Sequence, residues 1–166
     1  KISAGKLDEA QKILESKLVY FEQSAAVRIA LARIAGLKGD HATACRYYSD
    51  AVILTPDDAS LRRSYAEELF FSGKYADAAA IFEDMCKQSD LKDRDSILLM
   101  LGDAYMNLNR PFDARNCYQE ITRSSPNNLD AYIALAKSCL KTHDLGIARA
   151  ATQKVLRNEP DNVQAL

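Results

Sequence analysis

The stretch ITRSSPNNLDAYIALAKSCL, residues 121–140, decides the fold. A helical segment runs up to Pro126, which cannot continue a helix and biases the residue before it away from helical geometry. Two asparagines follow, and a new helical segment opens at Leu129. The same punctuation stands as TPDD at 55–58 and EPDN at 159–162. Pro126 and Pro160 lie 34 residues apart, and Pro56 and Pro126 lie 70 apart, which is two periods and two residues. A fixed period of this size is the signature of stacked repeats. It divides the chain into blocks at 25–58, 59–94, 95–128 and 129–162. The second block carries two spare residues, Asp93 and Arg94, in a longer loop, and Asp90 stands there in place of the helix-stopping proline. That turn is expected to be the most mobile, with Asp95 capping the helix after it.

Equivalent positions carry equivalent chemistry. The eighth is small in every block: Ala32, Ala66, Gly102 and Ala136. The twentieth is always alanine: Ala44, Ala78, Ala114 and Ala148. The seventh is large: Leu31, Tyr65, Leu101 and Leu135. The twenty-fourth is aromatic as Tyr48, Phe82 and Tyr118, but Thr152 in the last block. Two antiparallel helices approach closely only where side chains are small, and the large neighbours fill the space beside that contact. Each block therefore reads as two helices. In block three, Ile97, Leu98, Leu101, Ala104, Tyr105 and Leu108 follow helical spacing. Turns fall at KGDH (38–41), SGKY (72–75), LNRP (108–111) and THDL (142–145). Gly39, Gly73 and Asn109 suit a left-handed helix end, and Pro111 suits a first helical turn.

The small eighth, alanine twentieth, aromatic twenty-fourth and terminal-proline positions closely resemble the tetratricopeptide repeat (TPR) family. The resemblance implies an all-α fold with no β-strands: an α-solenoid, a right-handed superhelix of antiparallel helix pairs. It covers nearly the whole chain as one continuous solenoid. Residues 1–24 read as the second half of a preceding repeat plus turn, and 163–166 as the start of a further one. Departures are Arg28 and Arg62 at the usually apolar fourth position and Ala35 at the usually bulky eleventh. The chain begins at Lys1 without methionine and no polar capping helix is evident. It is therefore expected to be a window of a longer array whose uncapped ends can self-associate.

Composition narrows the function. At 48% hydrophobic and 27% charged residues the chain can bury a core. A formal net charge of −1 disfavours bulk binding to nucleic acid or anionic lipid. No apolar run approaches the roughly 20 residues of a membrane span, so no membrane insertion is expected. The four cysteines, Cys45, Cys86, Cys117 and Cys139, form no CxxC pair, and His41 and His143 stand apart. No metal site or cofactor is expected, and the thiols read as small core residues in a reducing, cytoplasmic setting. There is no Gly-rich phosphate loop, nucleophile elbow or His-centred base, so the chain is not expected to be an enzyme. The adjacent carboxylates Asp57–Asp58 and Asp93–Asp95 lie in inter-repeat loops, where such residues cap helices.

What the resemblance implies for function is a concave groove, lined by the first helix of each repeat, that holds a protein or peptide partner. Carried over position by position, the partner-binding residues are Arg33, Arg63, Glu67, Phe70, Leu99, Met100, Asp103, Met106, Ile133, Lys137 and Leu140. The carboxylate clamp of chaperone-binding members is not matched, because its positions are Ile29, Arg33, Ser64, Ser96 and Met100 here. The apolar members can receive the apolar face of a helix or an extended segment, and the charges can set its register. Phe70 and Phe71 fit packing between adjacent repeats equally well, and the charges also fit an ordinary solvated face. The expected role is a non-catalytic protein-interaction module, acting as scaffold or adaptor. The alternatives are a scaffold segment of a larger multi-domain enzyme or secretion and assembly machine, or a self-assembling repeat module.

Overall fold

A computed structural model describes residues 4–88 and 93–165. Among these residues there are nine α-helices and no strand. They are α1 (Ala4–Tyr20), α2 (Ala25–Leu37), α3 (His41–Leu54), α4 (Ala59–Phe71), α5 (Tyr75–Cys86), α6 (Arg94–Asn107), α7 (Pro111–Ser124), α8 (Leu129–Lys141) and α9 (Leu145–Asn158). The chain forms two compact units, Lys1–Ile81 and Phe82–Leu166.

One turn closes four successive helix pairs. The second residue after the helix has positive φ at Gly39 (79°), Gly73 (81°), Asn109 (57°) and His143 (62°). In each turn the next amide reaches back to the carbonyl five residues earlier: Asp40 to Ala35, Lys74 to Leu69, Arg110 to Tyr105, and Asp144 to Cys139, all at 2.8–2.9 Å. This is the Schellman arrangement, which satisfies carbonyls left open by the ending helix. Glycine, and to a lesser degree asparagine, tolerates the left-handed backbone. Histidine also visits this region more than most residues, and the Asp144 amide bond to the Cys139 carbonyl at 2.9 Å closes the turn around His143. The second helices α3, α7 and α9 end at Leu54, Ser124 and Asn158, two residues before Pro56, Pro126 and Pro160.

In the first unit, α1 packs on α2, α2 on α3 and α3 on α4. Ala32 is fully buried and sits in one cluster with Tyr48, Ala51 and Leu61, so the missing side chain at 32 admits the Tyr48 ring. Caps start the helices. Ser24 accepts from the Val27 amide at 3.4 Å, Asp40 from Thr43 at 3.0 Å and Asp58 from Leu61 at 3.0 Å. Each such cap contributes about 1 kcal/mol. Arg28, at a position where the family resemblance expects an apolar residue, lies along the helix and sends its guanidinium to the Glu22 carbonyl, with Asp50 3.9 Å away.

In the second unit, α6 packs on α7, α7 on α8 and α8 on α9. Ala114, Ala131 and Ile121 are fully buried, as is Val155, which clusters with Ile133 and Ala165. Pro111 occupies the first turn of α7, and Asn128 caps α8 through the Ala131 amide at 3.1 Å. The start of α6 differs from the sequence expectation. The helix begins at Arg94, after Asp93 in the left-handed region at φ 57°, so Asp95 lies inside the first turn instead of capping it. Its carboxylate accepts instead from the Ser124 hydroxyl at the end of α7 and from that of Ser125 just after it. The reading made for Asp90 falls on residues 89–92, outside the described residues.

Candidate interaction site

In the second unit two helices present one face each. Leu99, Asp103 and Met106 stand at intervals of four and three residues along α6, and on α8 Ile133 and Ala134 stand four and three residues before Lys137. Together with Tyr118, Asp130 and Gln164 they line an open cavity of about 310 Å³. Five predicted groove residues, Leu99, Asp103, Met106, Ile133 and Lys137, are thus brought together. Met100 is half-buried, and Leu140 is 57% exposed; neither lines this cavity.

Tyr118 of α7 is the residue that sequence reasoning did not place in the site. Its ring is 1% exposed, yet its hydroxyl donates to Asp103 Oδ1 at 2.7 Å. Gly102 makes this possible. A Cβ at position 102 would stand 2.4 Å from Tyr118 Cε1 and 2.7 Å from Cζ. The only sequence signal was a tyrosine at the twenty-fourth position combined with a carboxylate at the ninth and a glycine at the eighth. Burial pushes the Asp103 carboxyl above its ordinary value, opposed by the Tyr118 hydrogen bond and by the charge of Lys137. Burial, and then donation to the Asp103 carboxylate, pushes the Tyr118 phenol upward. Lys137 Nζ donates to Gln164 Oε1 at 2.9 Å.

A second cavity, about 530 Å³, shares Leu99 and Asp130 with the first and adds Asp93, Arg94 and Asp95. Arg94 is engaged within the protein. Its guanidinium pairs with Glu120 at 2.9 Å and donates to the Cys86 carbonyl at 2.7 Å.

In the first unit the predicted residues have other neighbours. Arg33 is exposed on α2. Arg63 and Glu67 of α4 pair with one another at 2.8 Å, one helical turn apart. Phe70 meets Tyr75 and Phe71 edge-on, with ring centroids 5.3 and 5.7 Å apart, and is half-buried. Beside them His41 Nδ1 lies 2.7 Å from Glu68 Oε2. Glu68 Oε1 lies 2.4 Å from where a Cβ on Gly36 would be. All four cysteines are unpaired, and burial raises the Cys117 thiol to about 12.

Helix pairs joined by one repeated turn, with a lined cavity on the first-helix face of the second unit, define an all-α solenoid. Residues 99–163 match the tetratricopeptide repeat family model. Among solved structures, YrrB, described as a TPR protein with an unusual peptide-binding site, superposes with a TM-score of 0.84 at 14% identity, over 97% of this chain and 82% of that one. MamA from Desulfovibrio magneticus RS-1 gives 0.83 at 16% identity, over 96% and 89%. PilF of Pseudomonas aeruginosa gives 0.75 at 18% identity, over 97% and 72%. At these identities the likeness is one of fold. Comparison with curated proteins yields no match. The family match covers residues 99–163, and over the rest of the chain the likeness to TPR proteins is one of fold.

Proposed function

We propose that the chain is a non-catalytic interaction module whose first-helix face in the second unit holds a peptide or helical segment of a partner protein, as scaffold or adaptor. The observation that carries this reading is the cavity lined by Leu99, Met106 and Ile133, with Asp103 and Lys137 at its polar edge. Apolar pockets flanked by a few fixed polar groups suit side chains of a docked segment. YrrB's peptide-binding site supports it by fold analogy alone. Repeats at 25–58, 59–94, 95–128 and 129–162 are the units of this proposed array. Unpaired thiols, three of them buried, support a reducing, cytoplasmic setting. Among the described residues no helix is long and apolar enough to cross a membrane.

The test is affinity capture from the source lysate with mass spectrometry, comparing wild type with Met106→Glu and Leu99→Glu. The same partner should be lost from both variants, with helicity by circular dichroism kept near wild type. Partner capture unchanged by both substitutions would refute the groove. A second reading, self-association, is favoured by Val19, Tyr20 and Phe21, which are 72%, 83% and 59% exposed at the end of α1. Its test is the oligomeric state.

A further inference from the structure

We propose that the second-unit groove selects a basic segment, and that the cavity around Asp103 receives a lysine or arginine side chain of the partner. This rests on the groove reading above and specifies the chemistry of what the groove takes.

The argument starts from charge. The two contiguous cavities are bordered by Asp93, Asp95, Asp103 and Asp130, against Arg94 and Lys137 as the cations. Arg94 is paired with Glu120 and the Cys86 carbonyl, and Lys137, which donates to the neutral Gln164, keeps its charge and acts on Asp103, so four carboxylates stand against two cations. The chain as a whole is nearly neutral, at −1, so this face is locally acidic. Field lines from carboxylates beside an apolar wall attract and orient a cationic segment.

The geometry is specific at Asp103. Tyr118 holds Oδ1 at 2.7 Å, and no hydrogen bond to Oδ2 is found among the described residues. The carboxylate is half-buried, and removal from water has made its charge less favourable than in solution. A cation arriving at the free oxygen relieves that penalty and makes a charge-assisted hydrogen bond. Leu99, Met106 and Ile133 line the same cavity and match the methylene stem that lysine and arginine bury behind their charged heads. Asp130, exposed at the junction of the two cavities, provides a second acceptor for the next basic residue.

The experiment selects binders from a random-peptide library displayed on phage, using the intact chain as bait. Recovered peptides are synthesised and titrated against wild type, Asp103→Asn, Asp130→Asn and Met106→Glu. Asn at 103 keeps an oxygen for Tyr118, removes the charge and turns the other acceptor oxygen into an NH2 donor. The expected result is enrichment of Lys or Arg beside apolar residues. Asp103→Asn should weaken binding about tenfold or more, the scale of a hydrogen bond to a charged group, with a shallower salt dependence. Peptides that bind the groove, as judged by loss in Met106→Glu, but show no basic enrichment or no effect of Asp103→Asn overturn this inference and leave the groove reading intact. Peptides insensitive to Met106→Glu, or no selected binder at all, overturn both.

Discussion

Gly102→Ala is the substitution that tests the packing of the site most directly. Alanine stands at the equivalent position in Ala32, Ala66 and Ala136, so a consensus argument makes it harmless or stabilising. Helix propensity agrees, favouring alanine by about 1 kcal/mol in a helix interior. The structure argues the reverse. The added Cβ would stand 2.4 Å from Tyr118 Cε1, 2.7 Å from Cζ and 3.0 Å from Cδ1, so the ring must move. The ring is 1% exposed and tied through its hydroxyl to Asp103, so moving it gives up existing packing and strains that bond. Overpacking of this kind costs about 1–3 kcal/mol, and losing the bond to a charged acceptor about 1.5–3 kcal/mol more if the ring swings away. Offset by the propensity gain, the net destabilisation is up to about 2 kcal/mol if the ring keeps its bond and about 1.5–5 kcal/mol if it swings away. Urea unfolding of the intact chain, followed by far-UV circular dichroism, reads it as a lower midpoint. Gly36→Ala is the control. There the close atom is the end of the Glu68 carboxylate, which can rotate away from the new methyl at the expense of its partly exposed contact with His41. That change should stay within about 1 kcal/mol of wild type. The cost of Gly102→Ala should also shrink in a Tyr118→Leu background. A Gly102→Ala chain as stable as wild type would refute the packing argument.

Two further outcomes follow from other parts of the molecule. The cap bond from the Leu61 amide, aided by Ser60, holds the Asp58 carboxyl below its ordinary range. Its unfolded form therefore binds a proton first as pH falls, so this stabilisation is present above the unfolded carboxylate pKa and lost below it. Asp58→Asn keeps the cap, as Asn128 does for α8, and should flatten the acid limb of a stability–pH profile. An unchanged limb would show that the cap charge has no part in it. At the other end, if α1 self-associates through Val19, Tyr20 and Phe21, weight-average mass by sedimentation should rise with concentration, and Tyr20→Asp should lower it. A strict monomer at high concentration sinks that reading.

The skeleton of the fold was legible because it depends on residue volume and backbone sign. Ala44, Ala78 and Ala114 are all fully buried, and Gly39, Gly73 and Asn109 take the left-handed turn. His143 takes the same turn without a residue type that announces it. Asp95 reads as a cap because two spare residues hide the left-handed step at Asp93, which starts α6 two residues earlier. The site was legible in part. Helical spacing places Leu99, Asp103 and Met106 on one face, but nothing in the one-dimensional pattern shows that Tyr118, fifteen residues from Asp103 on the next helix, reaches it. Phe70 illustrates the limit from the other side. Its position in the repeat fits a groove or a seam, and only coordinates reveal Tyr75 and Phe71 around its ring.

The turn shared by Gly39, Gly73, Asn109 and His143 has a consequence for how this architecture drifts. Its geometry is fixed by main-chain amides and carbonyls, which every substitution except proline leaves in place, and three residue types already occupy it within a single chain. Little sequence information is therefore spent on closing each helix pair. The exposed helix positions are free to diverge while the buried alanines and their large neighbours keep the core filled. That tolerance is how 14% identity to YrrB coexists with a TM-score of 0.84, and it leaves the helix faces open to be rewritten for new partners without rewriting the fold.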